Sequence, residues 1–205
     1  MYPKPFSDLI RHFSSLPSVG PKMAERLVLY LFKRSPEEIA SFSEALLSLT
    51  HLSTCTQCHH ISDQNLCSIC RDTKRDASVL CVVEDALDAI AIERAHFFTG
   101  RYHILGGVIE PGKNGTDNQS LLTITHLMKR ISQENIQEVL LATNPTSEGD
   151  LTALYLRRQL SQTPHLKISR IARGLATGGD IEYADEQTIR GALQNRQYYE
   201  DKTSQ

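Results

Sequence analysis

Cys55-Thr-Gln-Cys58-His-His-Ile-Ser-Asp-Gln-Asn-Leu-Cys67-Ser-Ile-Cys70 decides how this chain is organised. Two C-x-x-C pairs stand eight residues apart and hold four of the five cysteines in 205 residues. Thiolates are soft ligands, and four at tetrahedral range suit Zn²⁺ better than other common metals. Polar residues fill the connection, leaving Ile61 and Leu66 to pack inward. Such a lobe owes its fold mainly to the metal, worth on the order of 10 kcal/mol or more in small zinc domains. A disulfide scaffold needs an oxidising compartment and a higher cysteine content. Cys55-x-x-Cys58-His59 also matches the c-type haem attachment signature, but haem leaves Cys67 and Cys70 unexplained and requires export. A redox dithiol explains one pair and not two. The reading is therefore one structural zinc on Cys55, Cys58, Cys67 and Cys70, with His59 and His60 as bystanders. Cys81 lies in an apolar run and reads as a small buried hydrophobe.

Working outward, the composition (40% hydrophobic, 22% charged) is that of an ordinary soluble protein with room for two or three modules. The N-terminus has no apolar h-region, and no stretch reaches the length of a membrane span, so a cytoplasmic, reducing location is expected. In that compartment the sequons at Asn114 and Asn118 carry no meaning. A net charge of −2 argues against indiscriminate coating of nucleic acid. Its distribution is uneven. Residues 1–34 hold six Lys or Arg against two acids, leaving −6 for the remainder. A basic head on an acidic body is either a localised anion-binding surface or an ordinary solvated helix face.

Phe6, Leu9, Ile10, Phe13 and Leu16 follow helical spacing, and Ala24, Leu27, Val28 and Leu31 form a second stripe. Between them, Leu16-Pro-Ser-Val-Gly20-Pro21-Lys22 combines a turn glycine with a proline suited to the first helical position. This is a helix-hairpin-helix pattern. It aims backbone N–H groups and the positive end of a helix dipole at a phosphate, with Lys22 and Arg26 on one face beside it. The functional reading is sequence-independent contact with the DNA backbone; the bland one is a helical pair with a glycine turn. Ser35-Pro36-Glu37-Glu38 is a capping box opening a third helix with Ile39, Phe42, Leu46 and Leu49 on one stripe. Three short helices bury little alone, so packing on one another and on a partner chain is expected.

After Cys70 the period changes. Val79–Val83, Tyr102–Leu105, Val139–Ala142 and Lys167–Ile171 read as strands. Helices are expected after Glu84, over Leu121–Ile131, over Leu151–Leu160 and from Asp185. That alternation predicts a doubly wound, mostly parallel sheet over about residues 76–195. Ligands of such a sheet collect at the carboxyl ends of its strands. Glu84 follows the first strand, and Glu148 and Asp150 follow the third across one glycine. A lone Glu and an acid-x-acid pair are what a Toprim domain uses for phosphoryl chemistry with Mg²⁺; helix N-terminal acids favoured by the dipole are the alternative. Gly107-Val-Ile-Glu-Pro-Gly112-Lys113-Asn114 nearly matches a P-loop. Asn114 replaces the Mg²⁺-holding Ser/Thr, and Glu110 would sit in the phosphate cradle, so the match reads as accidental.

With these modules in this order, the chain resembles the RecR family of bacterial recombination mediators. The resemblance runs essentially end to end. It covers Leu16-Pro-Ser-Val-Gly-Pro-Lys22, the cysteine quartet, Cys81-Val-Val-Glu84, Tyr102-His-Ile-Leu-Gly-Gly107 and Ala142-Thr-Asn-Pro-Thr-Ser-Glu-Gly-Asp150. It continues through Arg170-Ile-Ala-Arg-Gly-Leu-Ala-Thr-Gly-Gly-Asp180 to Glu182-Tyr-Ala-Asp185. It implies a multidomain α+β protein. Residues 1–52 would be the helix-hairpin-helix region, 53–75 a four-cysteine zinc finger, 76–175 a Toprim domain with a mostly parallel sheet, and 176–205 a C-terminal region and helix. It further implies a non-enzymatic DNA-repair protein, cytoplasmic and nucleoid-associated, forming ring-like homotetramers that encircle or clamp DNA. Such proteins work with RecO, and in many bacteria RecF, to load RecA onto gapped DNA coated by single-strand-binding protein. Carried over, Lys22 and Arg26 become DNA contacts, and the four cysteines hold a structural zinc. Glu84, Glu148 and Asp150 form the Toprim acidic cluster, which meets RecO rather than cutting DNA. The competing reading is a Toprim nuclease or phosphotransferase using those three acids with Mg²⁺. Two departures stand out: the Gly107–Thr116 loop lacks the family's Ser-Pro and Gly-Ile-Gly-Pro run, and Ala176 replaces a usual proline.

Overall fold

Proline at the first or second helical position starts each of three helices in the first 52 residues: α1 (Lys4–Ser14), α2 (Pro21–Phe32) and α3 (Pro36–Ser48). Proline suits that position because the N–H it lacks has no intrahelical partner there. The computed structural model describes residues 2–110 and 123–197, and the chain divides into one unit ending at Leu52 and a second beginning at Ser53.

In the first unit Ala24 and Val28 of α2 are buried, and Phe6 of α1 meets Phe32 edge-on at 6.3 Å. The predicted capping box is complete: Glu38 N–H donates to Ser35 Oγ at 3.3 Å, and Ser35 N–H to Glu38 Oε2 at 3.1 Å. The α3 stripe is another matter. Ile39, Phe42, Leu46 and Leu49 are all more than a third exposed within the chain, and Phe32 is 76% exposed.

The second unit begins with β1 (Ser53–Thr54) paired antiparallel to β2 (Ile61–Ser62), then the short α4 (Ser68–Arg71). There follow β3 (Asp76–Val83), α5 (Ala86–Arg94), β4 (Gly100–Ile104), α6 (Ile124–Gln133), β5 (Glu138–Leu141), α7 (Ser147–Leu160), β6 (Lys167–Arg170) and α8 (Glu186–Gln194). The four long-range strands are parallel in the order β4-β3-β5-β6. Residues of β3 alternate between two cores. Leu80 and Val82 join Leu127 of α6 and Leu156 of α7 on one face, while Cys81 and Val83 join Ala89 of α5 and Tyr102 on the other. A strand covered on both faces explains the unbroken apolar run from Val79 to Val83. Cys81 is fully buried, and burial pushes its thiol up to about 12. The helix expected over Leu121–Ile131 begins at Ile124 among the described residues, and α7 begins four residues earlier than its apolar pattern suggested. Residues 111–116 of the P-loop-like segment, the sequons and the final residues from Tyr198 lie outside the described residues.

The zinc-finger segment is stitched to the sheet. Ile104 N–H donates to Cys58 C=O at 2.8 Å, and Gln57 Nε2 donates to Glu134 Oε1 at 2.8 Å. The same carboxylate accepts from Arg130 Nε at 2.9 Å, and Arg130 Nη1 donates to Tyr102 C=O at 2.6 Å. Arg130 is only 5% exposed, so these partners offset a desolvation that would otherwise be costly.

His103 on β4 is fully buried, and burial, followed by the charge of Arg130, pulls its imidazole from 6.5 down to about 3. Between those values the folded chain binds fewer protons than the unfolded one. The stability that neutral His103 contributes is complete above about pH 6.5 and is lost as pH falls toward its folded value. His103→Gln is therefore expected to flatten the fall in urea stability between pH 6.5 and 4.5 by up to about 1.4 kcal/mol per pH unit. Equal slopes for the two proteins would assign the acid sensitivity elsewhere.

Candidate functional site

The four cysteines Cys55, Cys58, Cys67 and Cys70 place their Sγ atoms within 4.8 Å of one another, all buried. None is in a disulfide, and Cys58 Sγ and Cys67 Sγ are 3.5 Å apart. Two short loops achieve this. Cys55 N–H donates to His60 C=O at 2.7 Å and His59 N–H to Cys55 C=O at 2.9 Å, closing the first C-x-x-C. Arg71 N–H donates to Cys67 C=O at 3.0 Å, closing the second around α4. Leu66 packs on the sulfurs as expected, joined by Ile69, whereas Ile61 points out of this cluster and is 52% exposed.

Protonation behaviour fits a site built for a cation. Cys58 is pushed well above the ordinary thiol range by its hydrogen bond with Cys70, then by burial and the Cys70 charge. Burial raises Cys67 to about 11. At Cys55 burial opposes ionisation, but the N–H groups of Cys67, Cys58 and Gln57 outweigh it and bring the thiol down to about 7. Sulfurs this close cannot all ionise unaided; a dication among them removes the penalty. The donor set fits Zn²⁺ with no open position for substrate, as in structural sites.

At the strand ends, β3 and β5 are where the connections diverge to opposite sides, the topological switch point. Glu84 is clasped there by Asn144, whose backbone N–H and Nδ2 both donate to its carboxylate at 2.7 Å. With Glu148 and Asp150 it does not make a group tight enough for an ion. Because α7 starts at Ser147, capped by Thr146, both acids lie in its first turn, and helical residues two apart face different ways. Asp150 is engaged by Arg170 at 2.8 Å and by Arg173. Arg170 Nη1 also donates to Thr143 Oγ1 at 2.7 Å. Among the described residues, the cysteine quartet is the one group of three or more His, Cys, Asp or Glu drawn together tightly enough for an ion. The three acids as placed do not fit an Mg²⁺ site. Arg170, Arg173 and Asn144 were not flagged in the sequence, although Arg-x-x-Arg after a strand was a usable signal.

In the hairpin, the left-handed residue is Ser18, at φ 63°, and not Gly20, which is extended at φ −77° and ψ 167°. A Cβ at Gly20 would meet nothing within 4 Å. No side chain caps α2, and Lys22 and Arg26 are exposed on its first turns.

Residues 6–50 match the family described as RecR, helix-hairpin-helix, and residues 52–72 match the RecR zinc finger domain of four cysteines. Residues 78–172 match the Toprim domain, and 174–197 match RecR, C-terminal. These modules define a zinc-finger protein of DNA recombination and repair. The chain is 46% identical over 197 residues to the recombination protein RecR of Synechococcus elongatus, covering 96% of this chain and 97% of that one. It is 47% identical over 197 residues to RecR of a Synechocystis species, covering 96% and 83%. The chain belongs to the RecR family, and its role lies in recombinational repair.

Gly149 is the glycine the acidic edge cannot spare. A Cβ there would run into the backbone oxygen of Asn144 and lie 2.7 Å from Glu84 Oε1. Gly149→Ala is expected to destabilise by about 1–3 kcal/mol through overpacking. Gly174→Ala, where a Cβ meets open space, should be near neutral in the same denaturant titration. Equal midpoints for the two variants would contradict this packing.

Proposed function

We propose that the protein grips DNA through its hairpin and acts as a mediator without turnover. The observation that carries this reading is the uncapped start of α2. Gly20 leaves clear space before the first-turn N–H groups, which no side chain among the described residues caps, and exposed Lys22 and Arg26 flank it. A phosphate fits such a place, and phosphate contact carries no base specificity. What Gly20 supplies is then room and not a special backbone angle.

In this proposal Cys55, Cys58, Cys67 and Cys70 hold one structural zinc, and residues 53–75 lie in the chain between a DNA-binding region over 1–52 and a Toprim domain over 76–175. The exposed apolar stripe on α3, with Phe32, supports self-association, consistent with a ring-like tetramer that encircles DNA. The strand-end edge of Glu84, Glu148 and Asp150 is a docking surface for RecO, with RecF as a further partner, in loading RecA on gapped DNA in the cytoplasm. The pairing of Asp150 with two arginines supports docking over metal-dependent cleavage. In the same proposal, residues 176–205 are a C-terminal region that carries α8.

Lys22→Ala combined with Arg26→Ala is expected to weaken binding to unrelated DNA sequences alike and to lower the slope of log K against log salt by about 2. Fluorescence anisotropy on labelled gapped DNA at several salt concentrations measures both. The same samples with Mg²⁺ should leave the DNA intact on a gel. An unchanged salt slope, or cleavage abolished by Glu148→Gln, would overturn the proposal.

A further inference from the structure

The parallel sheet ends in a strand with one side open. β6 pairs with β5 alone. Lys167 N–H donates to Gln137 C=O at 2.9 Å, and Ile171 N–H to Leu141 C=O at 3.0 Å. Directions alternate along a strand, so the backbone N–H and C=O groups of Ile168 and Arg170 face away from β5. Among the described residues no strand lies on that side.

Beside this edge a groove of about 350 Å³ runs between β6 and α7. Leu141, Ala153 and Ile168 give it an apolar floor, and exposed Leu154 and Arg157 stand at its rim. The outer face of α7 continues the surface. Leu151 and Leu154 are 37% and 61% exposed and, three residues apart, are neighbours on the helix, with Arg158 one turn beyond. Arg157, Arg158 and Lys167 are exposed and form no ion pair among the described residues. Arg170, by contrast, is held by Asp150.

Each part alone has an ordinary explanation. Arginines in the last turn of a helix suit its dipole, and a lysine on a short edge strand discourages aggregation. Neither accounts for exposed leucines and an apolar groove set beside unpaired cations and open backbone groups. We propose that this edge receives an extended acidic peptide segment of a partner protein, which adds a strand beside β6. Its backbone pairs with Ile168 and Arg170, its apolar side chains enter the groove, and its carboxylates meet Arg157, Arg158 and Lys167. Nucleic acid would use the cations but leave the leucines and the strand edge idle. A second copy docked through the same patch would set these cations against their own kind.

The probe is a fluorescein-labelled ten-residue peptide that alternates aspartate or glutamate with valine or leucine. Full-length, zinc-loaded protein is expected to bind it, with hydrogen–deuterium exchange slowed at residues 167–171. Leu154→Ala, which trims an exposed side chain, should weaken binding about tenfold or more. Arg157→Ala should weaken it too, and the same peptide with lysine for every acid should not bind. Lys22→Ala with Arg26→Ala should leave peptide binding unchanged, so this surface and the hairpin stand or fall separately. Absence of binding, equal binding of the lysine peptide, or unslowed exchange at residues 167–171 overturns the proposal. So does a smaller assembly mass for Leu154→Ala, which makes the face a contact between copies. Weaker binding of single-stranded DNA by Arg157→Ala, with the peptide unaffected, makes it a nucleic-acid surface instead.

Discussion

Four sulfur atoms confined within 4.8 Å of one another, without a disulfide, set the terms for everything around them. Their mutual repulsion and burial keep Cys58 and Cys67 protonated when no cation is near, even as three N–H groups favour a thiolate at Cys55. Among the described residues only Leu66 and Ile69 pack on this cluster, and β1 and β2 are two residues each. A segment with so little core cannot fold on burial alone, so a bound cation must supply most of its stability.

From that segment, order passes to the sheet through few contacts. Cys58 C=O takes the N–H that follows His103, and Gln57 reaches the Glu134 carboxylate that also neutralises buried Arg130. These bonds join the sulfur site directly to β4 and α6. At the strand ends the chemistry is one of restraint. Asn144 occupies Glu84, two arginines occupy Asp150, and Gly149 is wedged between the backbone of Asn144 and the Glu84 carboxylate. Two of the three acids at this Toprim edge are thus held by neighbours within the chain.

Much of this was legible in the residues. The cysteine spacing is a covalent-scale constraint that little else can imitate, and the strand at Val79–Val83 announced itself because both of its faces are covered. The Ser35 capping box was readable because its bonds are local. What escaped were features that depend on distant partners. Nothing in the sequence ties Gln57 to Glu134, or His59 to His103 and His126, because those pairs are created by the parallel register and by the docking of α6. The setting of the acid-x-acid pair was less legible, for a local reason. Thr146 caps α7 early, so Glu148 and Asp150 sit on a helix and diverge instead of lining a loop. The hairpin misled more mildly, since the unusual backbone angle falls on Ser18 and Gly20 is retained for the space in front of it.

Zinc K-edge X-ray absorption on protein loaded with a single equivalent of zinc tests the account at its centre. Four sulfur scatterers at about 2.3 Å, with no nitrogen or oxygen in the shell, are the expected result. A mixed nitrogen and sulfur shell, or zinc that fails to bind the native chain, would contradict it.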